Sequence, residues 1–395
     1  MIYAFGDCKL DITRRELRRS GDLCSVEPQV FDLLVFLVEN RDRVVGRDEL
    51  IDHVWGGRVI SDATLSSRIS AARHAVGDSG EAQAMLRTLP RRGFRFVADV
   101  AVVGSIGEPA ASRFARPNQT IRFCATSDGV NLAYACSGQG PLLIKTANWL
   151  NHLEHDWVSP VFRDIFVRLS AEFQLLRYDE RGTGLSDWDV ADISFRAFVD
   201  DLEAVVAAAG ADRFALLGLS QGAAVAVDFA ARHPDRVSHL VLWGGFARGR
   251  ARRDSPDEAD RSEAYLTLMR QGWGKRNSAF RRMFASLYLP DGKPEHIDWF
   301  TDLQQVATSP DNAVRVRKAI DEIDVSALLP RITAPTLILH SRDEAVVPIE
   351  EARFVAAQIP NAHFVSLDSS NHLVLSHEAE WERAIEAIIA FLRST

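Results

Sequence analysis

The sequence predicts two domains, a small α+β domain followed by an α/β domain whose sheet is mostly parallel. The length of 395 residues exceeds that of a usual single domain. The first hundred residues hold three helical segments and a basic hairpin, whereas after residue 118 apolar runs alternate with helical segments. A small-residue and proline stretch separates the two patterns, so we place the domains at 1–102 and 119–395, with a linker at 103–118.

The composition is that of a globular protein with no sign of export or membrane insertion. A quarter of the residues are charged, and no stretch approaches the roughly 20 apolar residues that span a bilayer. The four cysteines lack the spacing of a zinc site or a disulfide framework. We therefore expect a cytoplasmic protein with no membrane partner, no metal and no cofactor.

The charge is unevenly distributed along the chain. The first 104 residues carry fifteen basic and fifteen acidic side chains, so the remainder carries the whole net charge of −8. Between Arg58 and Arg95, however, seven arginines outnumber three acidic residues. This local excess offers a basic face on a neutral domain, as nucleic-acid binding requires.

The first domain has the element order of a winged helix-turn-helix. Short β-type runs in residues 2–26 predict a small antiparallel sheet. Three helices follow: one starting at Pro28, one from Arg47 to Trp55, and one beginning at the N-cap pair Ser61-Asp62. Two further β-runs flank Pro90-Arg91-Arg92-Gly93, which predicts a hairpin with two arginines at its tip.

This segment resembles the C-terminal DNA-binding domain of OmpR/PhoB-type regulators, and more closely the N-terminally placed variants of the ToxR/CadC group. The resemblance covers about residues 3–100 and is most specific at 54–56, 59–65 and 91–96. It implies that the third helix enters the major groove of double-stranded DNA while the hairpin reaches a neighbouring minor groove. The candidate DNA-contacting residues are Ser67, Arg68, Ser70, Arg73, His74, Arg91, Arg92 and Arg95.

The outer face of the third helix carries mostly small side chains. They allow a close approach to DNA but little direct base readout, so we expect most of the affinity to come from phosphate contacts. The alternative is that the arginines form a solvated face of a small protein-binding module.

The second domain contains a candidate nucleophile between a strand and a helix. Gly218-Leu219-Ser220-Gln221-Gly222 fits the Gly-x-Ser-x-Gly pattern of a sharp strand-to-helix turn. Such a turn crowds its neighbours and forces the serine into an unfavourable backbone region, which explains the glycines. The apolar runs that predict the sheet are 142–145, 173–178, 214–218, 240–243, 336–340 and 363–367.

With this motif the domain resembles the α/β-hydrolase superfamily over about residues 119–393. A second match is 179–186, which reads Asp-x-Arg-Gly-x-Gly-x-Ser. The resemblance implies that His372 takes the proton of Ser220. The superfamily places its acid four residues after a strand's final His and four before a Pro, which indicates Glu344, with the neighbouring Asp343 as the alternative.

The resemblance also implies an oxyanion hole and a cap. The expected oxyanion donors are the backbone N–H groups of Trp149 and Gln221. Asn148 replaces a glycine of the family pattern, which is tolerable if the position needs a positive φ, because Asn is enriched there. The helical stretch at about 246–328 occupies the position of the cap, and its aromatic and methionine side chains favour a small to medium apolar ligand, although most should belong to the cap core.

Two functions remain open from the sequence. The first is a one-component transcriptional regulator that binds promoter DNA and a small apolar ester- or lactone-like ligand; whether it also hydrolyses that ligand to end the signal stays open. The alternative is a serine esterase or lactonase with an accessory DNA-binding domain. A homodimer is a further hypothesis, because winged helices of this family commonly occupy paired half-sites.

Overall fold

The computed structural model describes residues 2–12, 15–41, 43–55, 60–89, 92–102, 118–253, 256–273 and 279–394. The chain divides into two compact units, Met1–Arg113 and Phe114–Thr395. The predicted linker at 103–118 lies outside the described residues except for Asn118.

The N-terminal unit contains a sheet, three helices and a hairpin. Its strands are β1 (Ile2–Phe5), β2 (Cys8–Asp11), β3 (Glu16–Arg19), β4 (Asp22–Cys24), β5 (Leu86–Leu89), β6 (Gly93–Phe96) and β7 (Ala101–Val102), and its helices are α1 (Pro28–Glu39), α2 (Arg47–Trp55) and α3 (Asp62–Ala75). β1 to β4 form an antiparallel sheet, β7 pairs with the free edge of β1, and β5 pairs with β6. The two-residue β7 was not predicted, because its only partner lies nearly a hundred residues earlier in the chain.

Apolar periodicity explains how α3 is oriented in this unit. The four side chains predicted to face inward, Leu65, Ile69, Ala72 and Val76, are each at most 3% exposed. Ser61 caps the helix by accepting the N–H of Thr64 at 3.2 Å. The opposite face of α3 is therefore left to solvent.

The hairpin is anchored by a close backbone approach next to its tip. Gly93 has a φ of +129°, and a Cβ at this position would lie 2.0 Å from the carbonyl oxygen of Val45. The next residue, Phe94, exchanges backbone hydrogen bonds with Val45 at 2.8 and 2.9 Å. Only glycine fits this junction, which aligns the hairpin with the segment before α2.

The C-terminal unit is built on an eight-stranded sheet. The strands are β8 (Thr120–Ala125), β9 (Asn131–Ser137), β10 (Leu142–Lys145), β11 (Gln174–Tyr178), β12 (Phe214–Leu219), β13 (Val237–Trp243), β14 (Thr336–Ser341) and β15 (His363–Leu367). The helices are α4 (Arg163–Ser170), α5 (Phe195–Ala208), α6 (Gly222–Arg232), α7 (Pro256–Gly272), α8 (Ala279–Tyr288), α9 (Pro294–Ala307), α10 (Pro310–Asp321), α11 (Ile349–Gln358) and α12 (Glu380–Leu392).

The sheet order is β15-β14-β13-β12-β10-β11-β9-β8, and only β8 and β9 run antiparallel to their neighbours. β12 is buried along its whole length, as expected for a central parallel strand. Since the carboxyl ends of parallel strands share one edge, the loops after β12, β14 and β15 meet there. The four helices α7 to α10 are inserted between β13 and β14.

No helix within the described ranges is both long and apolar enough to cross a bilayer.

A buried ion pair holds the loop after β11 against α5. The guanidinium of Arg181, 1% exposed, contacts the fully buried carboxylate of Asp201 at 2.7 Å, and the backbone N–H of Arg181 donates to the same carboxylate at 3.0 Å. Arg181 also pairs with Asp128, whose side chain is 47% exposed. Asp201 is thus the only fully buried counter-ion of Arg181 among the described residues.

We predict that Asp201→Asn lowers the free energy of unfolding of this unit by about 3 to 5 kcal/mol, because it leaves a buried guanidinium without its buried partner. The control Asp128→Asn should cost about 1 kcal/mol or less, since that partner is half in solvent. Urea unfolding followed by tryptophan fluorescence measures both, because seven of the eight tryptophans lie after residue 118. Equal losses for the two variants contradict the assignment.

Candidate active site and nucleic-acid interface

Ser220 lies in the turn between β12 and α6. Its φ is +52°, a region that residues other than glycine rarely occupy. Its N–H donates to the carbonyl of Trp243 on the neighbouring strand at 2.9 Å, which holds the turn against the sheet. A Cβ at Gly222 would lie 2.4 Å from the carbonyl oxygen of Ala147, so the helix can begin this close to β10 only with glycine there.

His372 and Glu344 reach the same edge from the loops after β15 and β14. His372 Nδ1 lies 2.7 Å from Glu344 Oε2, and both side chains are at most 4% exposed. The backbone N–H groups of Val346 and Val347 donate to the same carboxylate oxygen at 3.2 Å. Asp343 is exposed. Of the two candidate acids, the structure thus places Glu344 against the histidine.

A second histidine also contacts this acid. His340 Nε2 lies 3.1 Å from Glu344 Oε1 and 3.0 Å from the Val347 carbonyl oxygen. Burial raises the pKa of Glu344, but the attraction of His372 and the close approach of both histidines outweigh burial and lower the pKa to about 2. The sequence pattern around His340 gives no sign of this contact, because the contact depends on how the loop folds back on β14.

Ser220 and His372 line one cavity. His372 Nδ1 is bonded to the acid, whereas Nε2 is buried and has no hydrogen-bond partner in the described part of the chain. The backbone N–H of His372 donates to the Tyr288 carbonyl at 2.8 Å, which holds the histidine in place. His372 Nε2, the nitrogen that would accept the proton of Ser220, therefore forms no hydrogen bond within the described residues.

The expected oxyanion hole is only partly available. The N–H of Trp149 donates to the side-chain oxygen Oε1 of Gln221 at 3.1 Å, so one of the two expected donors is already bonded within the protein. Gln221 Nε2 in turn donates to Glu180 Oε2 at 3.3 Å. The φ of Asn148 is not positive, and its buried side chain accepts a hydrogen bond from Lys145 Nζ.

Glu180 is a buried carboxyl group beneath the oxyanion position. It is 1% exposed, and its Oε1 has no hydrogen-bond partner among the described residues. Burial raises its pKa to about 8, with the hydrogen bond from Gln221 opposing the rise. Near neutral pH this carboxyl group is therefore largely protonated.

Two cavities meet at Trp149, Ser220 and Tyr288. One is the apolar lobe, whose further lining includes Phe162 and Phe300. The other is the arginine lobe, which is lined by Arg250, Arg253 and Arg317 together with apolar residues. The aromatic and methionine residues of the cap predicted an apolar ligand, and they gave no indication of this cationic wall.

The described residues contain no group of three or more His, Cys, Asp or Glu side chains arranged to hold a metal ion.

The outer face of α3 is open to solvent in the N-terminal unit. Ser67, Ser70 and His74 are exposed along it, as the helical periodicity predicts. Arg68 is partly buried and forms an ion pair with Glu27, whose own side chain is largely exposed. These four candidates therefore share an accessible face.

Arg73 does not belong to this face, contrary to the prediction. It is 8% exposed; its Nε donates to the Leu86 carbonyl at 2.9 Å and its Nη2 donates to Thr88 Oγ1 at 2.7 Å. These bonds tie α3 to the hairpin strand β5. Helical periodicity could not reveal this role, because the acceptors come from a later element.

The hairpin presents further arginines. Arg92 and Arg95 are exposed, and Arg91 lies outside the described residues. Arg87, which was not among the candidates, is exposed and lies directly across from Arg95 in the strand register. Arg87 is one of the seven arginines in the basic segment of the sequence, but only the pairing of β5 with β6 shows that its charge is next to that of Arg95.

Comparisons with known proteins bear on both units. Residues 150–379, more than half of the chain, match the family described as alpha/beta hydrolase fold. The chain belongs to the alpha/beta hydrolase fold family. Residues 21–96 match the family described as transcriptional regulatory protein, C terminal, and form a domain of the OmpR/PhoB type.

Individual relatives match one unit each. The transcriptional activator CadC of Escherichia coli is 33% identical over 100 residues, which are 25% of this chain and 20% of CadC. The pimeloyl-[acyl-carrier protein] methyl ester esterase of Neisseria meningitidis is 27% identical over 241 residues, or 58% of this chain and 88% of the esterase. A solved hydrolase from Pseudomonas aeruginosa superposes on the hydrolase domain with a TM-score of 0.58 and 26% identity, covering 70% of this chain and 99% of that one.

We predict that Glu180→Gln removes a pH-dependent cost of folding the hydrolase domain. Folded Glu180 keeps its proton up to a pKa of about 8, whereas the unfolded carboxyl group loses it near 4.5. Wild-type stability should therefore fall, relative to Glu180→Gln, by about 1.4 kcal/mol per pH unit between about pH 5 and pH 8.

Urea unfolding at several pH values across this window measures the difference. The exposed Glu386→Gln on α12 is the matched control and should follow the wild type at every pH. Parallel curves for wild type and Glu180→Gln show that Glu180 is ionised in the folded protein, contrary to this account.

Proposed function

We propose that the protein is a one-component transcriptional regulator. In this proposal the N-terminal domain binds promoter DNA through its winged helix, and the cavity at Ser220 binds a small ester or lactone. The observation that carries the proposal is the presence, in one chain, of an OmpR/PhoB-type domain and a hydrolase domain with a buried Ser220, His372 and Glu344 arrangement.

The N-terminal domain supports DNA binding through the exposed face of α3 and the hairpin. Ser67, Ser70 and His74 leave room for the edge of a base pair, while Arg68 reaches the rim of the same face. Arg87 and Arg95 place like charges directly opposite each other, which is unfavourable in the free protein. A phosphate group between the two arginines relieves this repulsion.

The hydrolase domain supports serine chemistry. Ser220 Oγ attacks the ester carbonyl carbon while His372 Nε2 takes its proton, and Glu344 stabilises the imidazolium that forms. Collapse of the tetrahedral intermediate releases the alcohol, which receives the proton from His372. Water then attacks the acyl-enzyme with His372 as base and releases the acid, which restores Ser220.

The bond between Trp149 N–H and Gln221 Oε1 favours a sensor over a fast enzyme. A substrate oxyanion needs that N–H, so the Gln221 side chain must first leave it, and each turnover bears the cost of that exchange. Ligand binding at Ser220 has no such requirement. The second candidate, a serine esterase or lactonase with an accessory DNA-binding domain, is favoured by the presence of all three triad groups.

We predict that Arg92→Ala weakens binding to labelled duplex DNA and lowers the slope of log Kobs against log salt by about 1, because one phosphate contact is lost. Fluorescence anisotropy over a salt series measures the slope. Arg18→Ala, which removes an exposed arginine on β3 that pairs with Glu16, is the control and should leave the slope unchanged. If the full chain has no DNA affinity at low salt, the regulator proposal is wrong.

For p-nitrophenyl ester hydrolysis, we predict that Ser220→Ala lowers kcat to the background rate and that Glu344→Gln lowers kcat by about 10²-fold or more. Asp343→Asn is the matched control at the adjacent position and should retain wild-type kcat. Steady-state kinetics on purified full-length chains make the comparison. A larger loss for Asp343→Asn than for Glu344→Gln reverses the choice of acid.

A further inference from the structure

Ser220 lies where two chemically different spaces meet. The apolar lobe offers Phe162, Phe300 and neighbouring aliphatic side chains, and the arginine lobe offers three guanidinium groups. No acidic residue is among the described residues that line either lobe. A molecule bound across Ser220 therefore has one end among apolar groups and the other among cations.

Two of the three arginines already have counter-ions. Arg317, 7% exposed, is paired with Asp321, whose carboxylate also accepts a hydrogen bond from the hydroxyl group of Ser262. Arg253, also 7% exposed, contacts Glu258 at 2.9 Å. Each of these two cations therefore has a carboxylate partner, and Glu258 is also contacted by the exposed Arg261 at 3.2 Å.

Arg250 has no such match. No carboxylate of the described residues lies within ion-pair distance of its guanidinium, which instead lies over the Tyr265 ring at 5.3 Å and makes a long contact of 3.4 Å to the Val346 carbonyl oxygen. In addition, Arg317 Nε is buried without a hydrogen-bond partner in the described part of the chain. Among the described residues, the arginine lobe thus holds one positive charge without a carboxylate partner and one buried donor without an acceptor.

Both features call for an anionic acceptor. A half-buried guanidinium binds a carboxylate strongly, because the planar donor groups match the two oxygens and solvent competes weakly. A single unmatched cation fits a monoanion better than a phosphate dianion, which would need two.

We propose that the ligand at Ser220 is an ester that carries a free carboxylate, with its apolar group in the apolar lobe and its carboxylate against Arg250. This inference rests on the proposed function, since it assigns the ligand class of the same site. It replaces the uncharged apolar ligand expected from the cap residues alone.

Monobenzyl succinate and its uncharged methyl diester test the proposal. Full-length Ser220→Ala prevents turnover, so isothermal titration calorimetry gives the Kd of each ester, and wild-type kinetics give kcat/KM. We expect the anionic ester to be preferred about tenfold or more in both measurements. The Arg250→Ala substitution, introduced into both proteins, should abolish the preference. It should weaken binding and lower kcat/KM for the anionic ester, while the values for the diester stay the same.

Arg252→Ala is the matched control, because this arginine lies in the same short 3₁₀ helix but is exposed and paired with Glu322 at 2.8 Å. It should keep the full preference. Arg250→Gln removes the charge while keeping most of the side-chain stem over Tyr265, so it tests the same prediction if Arg250→Ala does not fold, as judged by circular dichroism.

Three outcomes overturn the inference. Equal affinity for both esters, unaffected by Arg250→Ala, shows that the ligand charge is not read, while the proposed function stands. An equal loss for both esters in Arg250→Ala and Arg250→Gln shows that the residue only shapes the cavity. If neither ester binds or is hydrolysed by the wild type, the ligand-binding part of the proposed function fails together with this inference.

Discussion

Seven ionisable side chains are buried beneath the edge of the sheet that carries Ser220, and each is at most 2% exposed. They are Lys145, Asp156, Arg177, Asp179, Glu180, Arg181 and Asp201. Moving an ion out of water costs several kcal/mol, so such a cluster is stable only if its charges are matched and hydrogen-bonded. With Glu180 protonated, three carboxylates balance three cations.

This balance extends to the candidate site through hydrogen bonds. Asp179 accepts hydrogen bonds from the backbone N–H groups of Leu185 at 2.9 Å and Leu153 at 3.1 Å, which holds together the two loops beside the turn at Ser220. Glu180 binds Gln221, and Gln221 occupies the N–H of Trp149. The buried charges therefore determine both the position of the loops and the state of the oxyanion donor.

The two lobes at Ser220 follow from where the chain inserts its helices. α8 and α9 supply Tyr288 and Phe300, whereas the segment after β13 supplies Arg250 and α10 supplies Arg317. A single insertion thus gives the cavity both an apolar and a cationic wall. The chemistry at the serine is set by the sheet edge, and the choice of ligand is set by the insertion.

Much of this architecture could be predicted because its signals are local. Helical and strand periodicity located the elements, and the steric requirement for glycine located the turn at Ser220. His372 also followed from a short motif. Residue counting could not decide between Glu344 and Asp343, because the two residues are adjacent in the loop. Only the folded loop shows which carboxylate faces the histidine.

Other features were decided by tertiary structure alone. Arg73 has the same sequence context as a DNA-contacting arginine, yet its acceptors lie thirteen and fifteen residues later in the hairpin. Arg250 and Arg317 carry no shared pattern, because they come from separate elements of the insertion. Periodicity reports which face of an element is apolar, whereas the partner of a polar group depends on contacts between distant parts of the chain.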